Sequence, residues 1–294
     1  MMNPEERELY ERNRKLLRTY TRTRQDFIDM RKSVEGRLEM KADGTPKKIE
    51  NPRHFEKMDW DFLCAQRLNI IEAEKALKKR GLLLLGEFKI WTDYLEKIKA
   101  VGDIAAGWII GEFDIFKADT PSKLWQFSGM NSGDVRGKKM VGTGKNQRIT
   151  VTDKMIRGDK LTAGFLAPFN KKLRAALLGV MGDGFIKAQN EYAFTYYYPK
   201  KNALEHSENT VMGGKKAWKD VSKGHRHRAA IRYMVKMFLQ DLYNAWRPME
   251  GLYVRPPYRE EKLGIIHHVA EASCDQGDLG SLDEEIDSEA VANM

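Results

Sequence analysis

Between Gly224 and Arg247 the chain sets Ile231, Met234, Val235, Phe238, Leu242 and Trp246 three and four residues apart, the period of one helix face. A rod with one apolar stripe is stable only if other elements cover that stripe, so this segment commits the chain to a packed, helix-based core. Arg228, Arg232 and Lys236 stand beside the stripe at intervals of four. The pattern predicts a core face and a basic face on the same helix. The basic face either meets phosphate or keeps the helix soluble.

The remaining segments read mostly as helices too. Asn3, Pro4, Glu5 and Glu6 supply an N-cap, a first-turn proline and two acids suited to the helix dipole. They open a basic N-terminal helix over 1–40 that carries Leu9, Leu16, Tyr20, Phe27 and Val34. Arg14, Lys15, Arg18, Arg22 and Arg24 fill its other faces, which predicts an arm that seeks a partner or phosphate. Asp43-Gly44-Thr45-Pro46 and Asn51-Pro52 mark a turn-rich linker over 41–57. Residues 58–98 then show Leu63, Ile70 and Leu77 at heptad spacing, followed by Phe88, Trp91, Leu95 and Ile98. This predicts a helical hairpin or coiled coil, and self-association is one use open to such a pair.

Charge is segregated along the chain. The formal net charge is +9, yet residues 271–294 hold eight acids and no Lys or Arg. With those eight set aside, 34 acids face 51 bases, a net of +17 for the body. A body this basic attracts polyanions, and each Lys or Arg that neutralises a phosphate releases a counterion. The acidic stretch 263–294 is expected to be a disordered tail, either inert or competing with DNA for the basic face. No apolar run approaches the ~20 residues of a bilayer span, and the first residues do not read as a signal peptide. No membrane partner is expected. Cys64 and Cys274 lie far apart in unlike surroundings, so neither a disulfide framework nor a zinc site is expected, and a cytoplasmic location fits.

Several short segments bear on chemistry. Ile98 to Ile110 reads as apolar helix, tight turn at Gly102, then small residues opening another helix, a helix-hairpin-helix pattern. A glycine turn lets backbone N–H groups approach a phosphate; an ordinary αα-hairpin is the plainer reading. Residues 131–160 form a glycine-threaded basic loop with Arg136, Lys138, Lys139, Lys145, Arg148, Lys154, Arg157 and Lys160, either wrapping a phosphate backbone and ordering on contact or simply a solvated surface loop. Lys171 and Arg174 belong to a further basic helix. Tyr192, Phe194, Tyr196, Tyr197 and Tyr198 serve either as stacking platforms for unpaired bases or as core. Gly142-Thr143-Gly144-Lys145 fails as a P-loop, because its first glycine and its Ser/Thr fall on Lys139 and Asn146. His225/His227 and His267/His268 lack metal-ligand spacing, so neither a metal nor another cofactor is expected.

The order of these pieces resembles the C-terminal domain of the insertion-sequence-110 (also 116 and 902) transposases. The resemblance rests on the hairpin, on Ser122-Lys123-Leu124-Trp125-Gln126-Phe127-Ser128-Gly129-Met130, and on Asn170-Lys171-Lys172-Leu173-Arg174-Ala175-Ala176-Leu177. It continues through Lys187-Ala188-Gln189 and the tyrosines to Ala229-Ala230-Ile231-Arg232-Tyr233-Met234-Val235-Lys236, covering roughly residues 85–260. The usual first glycine of the hairpin is Ala100 here. The resemblance implies a helix-hairpin-helix-containing all-α domain over 99–262; with the coiled-coil-like N-terminal region and the tail read above, the expectation is a mainly α protein. It implies a DNA-binding protein of transposition or recombination, with structured RNA as a second partner class. Family members also carry an RNase-H-like domain whose acids hold metal. Residues 1–84 lack the alternating β-branched strands such a domain needs, so the chain is expected to be catalytically incomplete alone. Ser132, in the loop where the family uses a serine nucleophile, is the one catalytic candidate, against the reading of a plain turn serine. Two alternatives stay open: a recombinase subunit with a separate nuclease partner, and a non-enzymatic helical scaffold with acidic partners.

Overall fold

A computed structural model describes residues 2–41, 45, 56–211, 214 and 216–255. The tail and most of the linker lie outside the described residues. The chain divides into two compact units, Met2–Leu95 with Gly102–Glu112, and Glu96–Val101 with the chain from Phe113 onward. Both are mainly α-helical. Among the described residues, no helix is long and apolar enough to cross a membrane.

The first unit contains α1 (Pro4–Arg37), α2 (Lys57–Leu85), α3 (Lys89–Asp93) and α4 (Asp103–Glu112). Asn3 and Glu6 close a reciprocal capping box on α1. Tyr10, Arg14, Leu17, Ile28, Glu35 and Leu38 are buried, a row stepping by threes and fours along the side that meets α2. Arg31 Nε donates to Glu74 at 3.0 Å and Arg67 Nε to Glu35 at 2.9 Å, so the two helices run antiparallel with paired charges inside their seam. The antiparallel pair therefore joins α1 to α2, whereas the spacing over 58–98 pointed to α2 and its successor. That successor yields only the five-residue α3 and a 3₁₀ turn at Leu95–Lys97. The stripe read on α1 is also corrected: Leu9 and Leu16 are exposed, one residue and about 100° round from the buried row.

The α1 arginines are not the free arm the sequence suggested. Arg14 donates to the Gly111 carbonyl at 3.3 Å, Arg18 and Arg22 pair with Glu112 at 3.2 and 2.7 Å, and Arg24 meets Asp103 at 2.5 Å. Two glycines let α4 come this close. A Cβ on Gly107 would strike the Thr21 hydroxyl, and one on Gly111 would lie 2.9 Å from Arg18 Cα.

The second unit is built round α9 (Lys223–Met249), started by Ser222, whose hydroxyl accepts from the His225 N–H. The sequence stripe is its buried face, and Met234, Val235, Phe238, Leu242 and Trp246 are fully enclosed. α5 (Pro121–Ser128) packs on it, and Trp125 Nε1 donates to the Lys236 carbonyl at 3.1 Å. α6 (Lys171–Ala175) continues through a π-helical stretch, Ala176–Gly182, into α7 (Asp183–Lys187). A second π-helical stretch, Ala193–Tyr197, leads into α8 (Tyr198–His206). Arg226 and Arg247 act as internal staples: the first donates to the carbonyls of Trp218, Lys219 and Val221, the second to those of Ile115, Ala118 and Tyr253.

The expected mobile basic loop is instead an antiparallel two-stranded ribbon, β1 (Asp134–Val141) and β2 (Arg148–Arg157). An all-α reading fails here. Ile149, Thr150, Val151 and Thr152 are β-branched neighbours that favour a strand, and Gly142 and Gly144 take positive φ in the turn between the strands.

Candidate functional site

The ribbon's root is fixed by a glycine. Gly158 N donates to the Gly133 carbonyl at 2.9 Å, and a Cβ at Gly158 would lie 2.8 Å from that oxygen and 3.1 Å from the Asn131 carbonyl. The close approach turns the chain so that Asp159 buries its carboxylate, whose side chain is 3% exposed. Arg157 grips it with both ends of its fork, Nε to Oδ1 at 3.0 Å and Nη2 to Oδ2 at 3.2 Å. Arg232, from α9, donates to Oδ2 at 3.1 Å. Arg174, from α6, donates to the Asp159 carbonyl at 2.6 Å and stacks over the Phe169 ring at 4.6 Å. Two guanidinium groups, from β2 and α9, thus hold the Asp159 carboxylate, and a third, from α6, holds its backbone carbonyl.

The surplus positive charge is felt by the neighbours. Burial pushes the Arg174 pKa down, Arg232 pushes it further, and Asp159 pulls it back. His225 is likewise held below its ordinary value, first by partial burial and then by Arg232, Arg228 and Lys160. The cluster therefore extends over the start of α9. An arginine fork stays protonated at any working pH and suits planar or tetrahedral oxyanions; here the Asp159 carboxylate fills that role for Arg157 and Arg232.

Beyond the root the ribbon stands clear on both faces. Lys138 pairs with Val151 and Met140 with Ile149 on one face; Lys139 pairs with Thr150 and Val141 with Arg148 on the other. Met140, Ile149 and Val151 are 48%, 60% and 53% exposed. The second face is supported near its base by Phe165, which lies against Gly137 and carries Lys139 over its ring at 4.6 Å. Leu166 N donates to the Lys138 carbonyl at 2.7 Å, tying down the β1 edge. Between the strands the turn presents Lys145.

The sequence-expected residues fall into groups. Arg174 and Arg232 are brought together at the root, while Arg228 lies a turn earlier on α9, where it donates to the Gly224 carbonyl. Arg136, Lys138, Lys139, Lys145 and Arg148 lie on the ribbon. Lys171 opens α6, and Lys236 stacks over Trp125 at 4.7 Å. Gly102 belongs to the other unit, where its carbonyl accepts from Ala106 N at the start of α4. Ser132 is half-buried in the turn whose flanking carbonyls touch Gly158. Tyr192, Tyr196 and Tyr197 pack inward, Tyr192 stacking on Phe185 at 5.4 Å and Tyr197 hydrogen-bonding His227 Nδ1 at 2.7 Å. Phe194 and Tyr198 stay exposed, 5.6 Å apart.

Sequence reasoning placed Arg157 and Lys160 in the basic stretch but missed Asp159 as the residue that gathers the arginines, and His225 as their neighbour. The signal available was Arg157-Gly158-Asp159 at a strand end, but its partner Arg232 lies 73 residues away. Among the described residues, no group of three or more His, Cys, Asp or Glu is placed to hold a metal ion. No protein-family model matches the chain, and no curated protein matches it.

Proposed function

We propose that this protein binds nucleic acid through the ribbon and the arginine cluster at its root, as a DNA-binding component of a transposition or recombination system. The observation that carries the reading is the convergence of Arg157, Arg174 and Arg232 on Asp159, with a positive field that reaches His225. A protein that needed only solubility would spread such charges, because packing them together raises their mutual repulsion. The assignment to transposition rests on the resemblance of residues 85–260, including a helix-hairpin-helix reading of the turn at Gly102. Salt dependence tests the binding. Engagement of about six phosphates costs roughly three decades of affinity between 50 and 200 mM salt. A flat profile on duplex DNA and on RNA overturns the reading.

One placement favours a second reading, a recombinase subunit that works with a separate nuclease. Ser132 sits in the turn packed on Gly158, next to the residue that gathers the arginines. Strand transfer that is lost in Ser132→Ala while DNA binding persists would establish it; no nicking of supercoiled plasmid with Mg²⁺, alone or with partners, removes it.

A further inference from the structure

We infer that the β1–β2 ribbon is a groove-entering element for B-form duplex DNA, with its Met140–Ile149–Val151 face turned to the base edges. The inference rests on the nucleic-acid reading above and goes beyond phosphate contact. The ribbon is two strands wide, and strands lie about 4.8 Å apart, so with side chains it fills a groove of about 12 Å, the width of the B-DNA major groove. The major groove of A-form RNA is deep and too narrow for side chains to read.

The two faces divide the work. One face holds Lys138 beside Met140, Ile149 and Val151, three apolar side chains that the protein leaves about half exposed or more. An isolated ribbon gains nothing from such exposure in water, whereas thymine methyl groups on the groove floor offer apolar contact and guanine O6 and N7 accept from lysine. The opposite face holds Arg148 beside the exposed Val141, and Lys139 with its ammonium over Phe165; Arg148, and Lys145 in the connecting turn, have side chains long enough to meet phosphates on the groove walls. Charge complementarity selects DNA over a protein partner. From 136 to 160 there are eight Lys and Arg against Asp153 and Asp159, and Asp159 is already bound by arginines. A protein docking on one face would leave the basic residues of the other unused.

The test uses the full-length protein, a 30-base-pair DNA duplex of mixed sequence, and the same sequence as an RNA duplex. Three readings are taken: affinity across a salt series, dimethyl sulfate protection of guanine N7, and affinity for DNA with uracil in place of thymine. The Met140→Ser/Ile149→Ser/Val151→Ser protein changes only exposed positions, and its fold is checked by circular dichroism. The expected results are N7 protection, a preference for DNA over RNA duplex, and about tenfold weaker binding of the triple variant at every salt concentration, equivalent to 1.4 kcal/mol. Its salt slope should match that of the wild type. Salt-sensitive binding without N7 protection, with equal affinity for RNA duplex or with an unaffected triple variant, overturns the groove assignment and leaves the nucleic-acid reading intact. Absence of salt-sensitive binding overturns both.

Discussion

Two single residues carry the clearest consequences. Ala100 sits at φ +74°, in the left-handed region that costs an L-residue about 1–2 kcal/mol. Asn190 Nδ2 donates to the adjoining Lys99 carbonyl at 2.6 Å and so holds the turn in place. Ala100→Gly is expected to raise unfolding free energy by about 1 kcal/mol, since glycine adopts that φ freely, and urea denaturation checks it. The sequence singled out Ala100 as standing where the resembled hairpin has a glycine, but nothing in the sequence announced its left-handed φ. His225 was not legible, since its surroundings are assembled from distant segments. Its pKa lies below the ordinary 6.5. The folded protein thus binds fewer protons at this residue than the unfolded chain does. Stability from His225 is unaffected above the ordinary value and is lost as pH falls from there through the folded value. A phosphate among Arg228, Arg232 and Lys160 would offset their repulsion and raise the histidine's pKa. Binding should then take up protons and tighten as pH falls from 8 to 6. Calorimetry in two buffers of different ionisation heat measures the uptake; an unchanged uptake in His225→Gln assigns it elsewhere.

At the scale of elements, the sequence announced helices better than it announced their partners. The stripe of α9 was read residue for residue, because a helix that buries one face against many neighbours needs a wide apolar band. On α1 the same rule selected the row of Leu9 and Leu16, whereas the fold buries Tyr10, Leu17 and Ile28 with Arg14 and Glu35 between them. Charged residues inside a seam escape an apolar-periodicity rule, since their burial is licensed by partners on another helix, such as Glu74 and Arg67. The contact of α1 with α4 depends on missing side chains. At Gly111 an added Cβ meets the α1 backbone at Arg18 Cα, and a backbone cannot step aside without moving the helix. At Gly107 the obstacle is the Thr21 side chain, which can rotate. Gly111→Ala should therefore cost about 1–3 kcal/mol in urea unfolding, and Gly107→Ala less. The reverse order would show that the helices are not packed as described. The ribbon was misread because its basic residues and scattered glycines drew a loop reading, although the β-branched run 149–152 was present.

For the whole molecule the decisive quantity is where charge is used. The body's net of +17 overstates what a polyanion can reach, because Arg14, Arg18, Arg22, Arg24, Arg226 and Arg247 are committed to carboxylates or carbonyls inside the fold. Arg157, Arg174 and Arg232 are likewise engaged by Asp159, so at this end of the molecule the charges left for a polyanion include Lys138, Lys145 and Arg148 on the ribbon. The eight acids of 271–294 oppose that field through their charge alone, whatever their arrangement, and an electrostatic influence of this kind is screened with a Debye length of about 10 Å at 0.1 M salt. A chain ending at residue 270 should therefore bind duplex DNA more tightly than the full chain at 50 mM salt. Its advantage should shrink steadily as salt is raised, because a steeper salt slope accompanies the larger net positive charge. If the advantage persisted undiminished at 500 mM salt, the acids would be blocking the basic surface by specific contact. If truncation left affinity unchanged at every salt concentration, the ribbon and its arginines would lie beyond the reach of the acidic stretch, and the protein's net charge would be irrelevant to its binding.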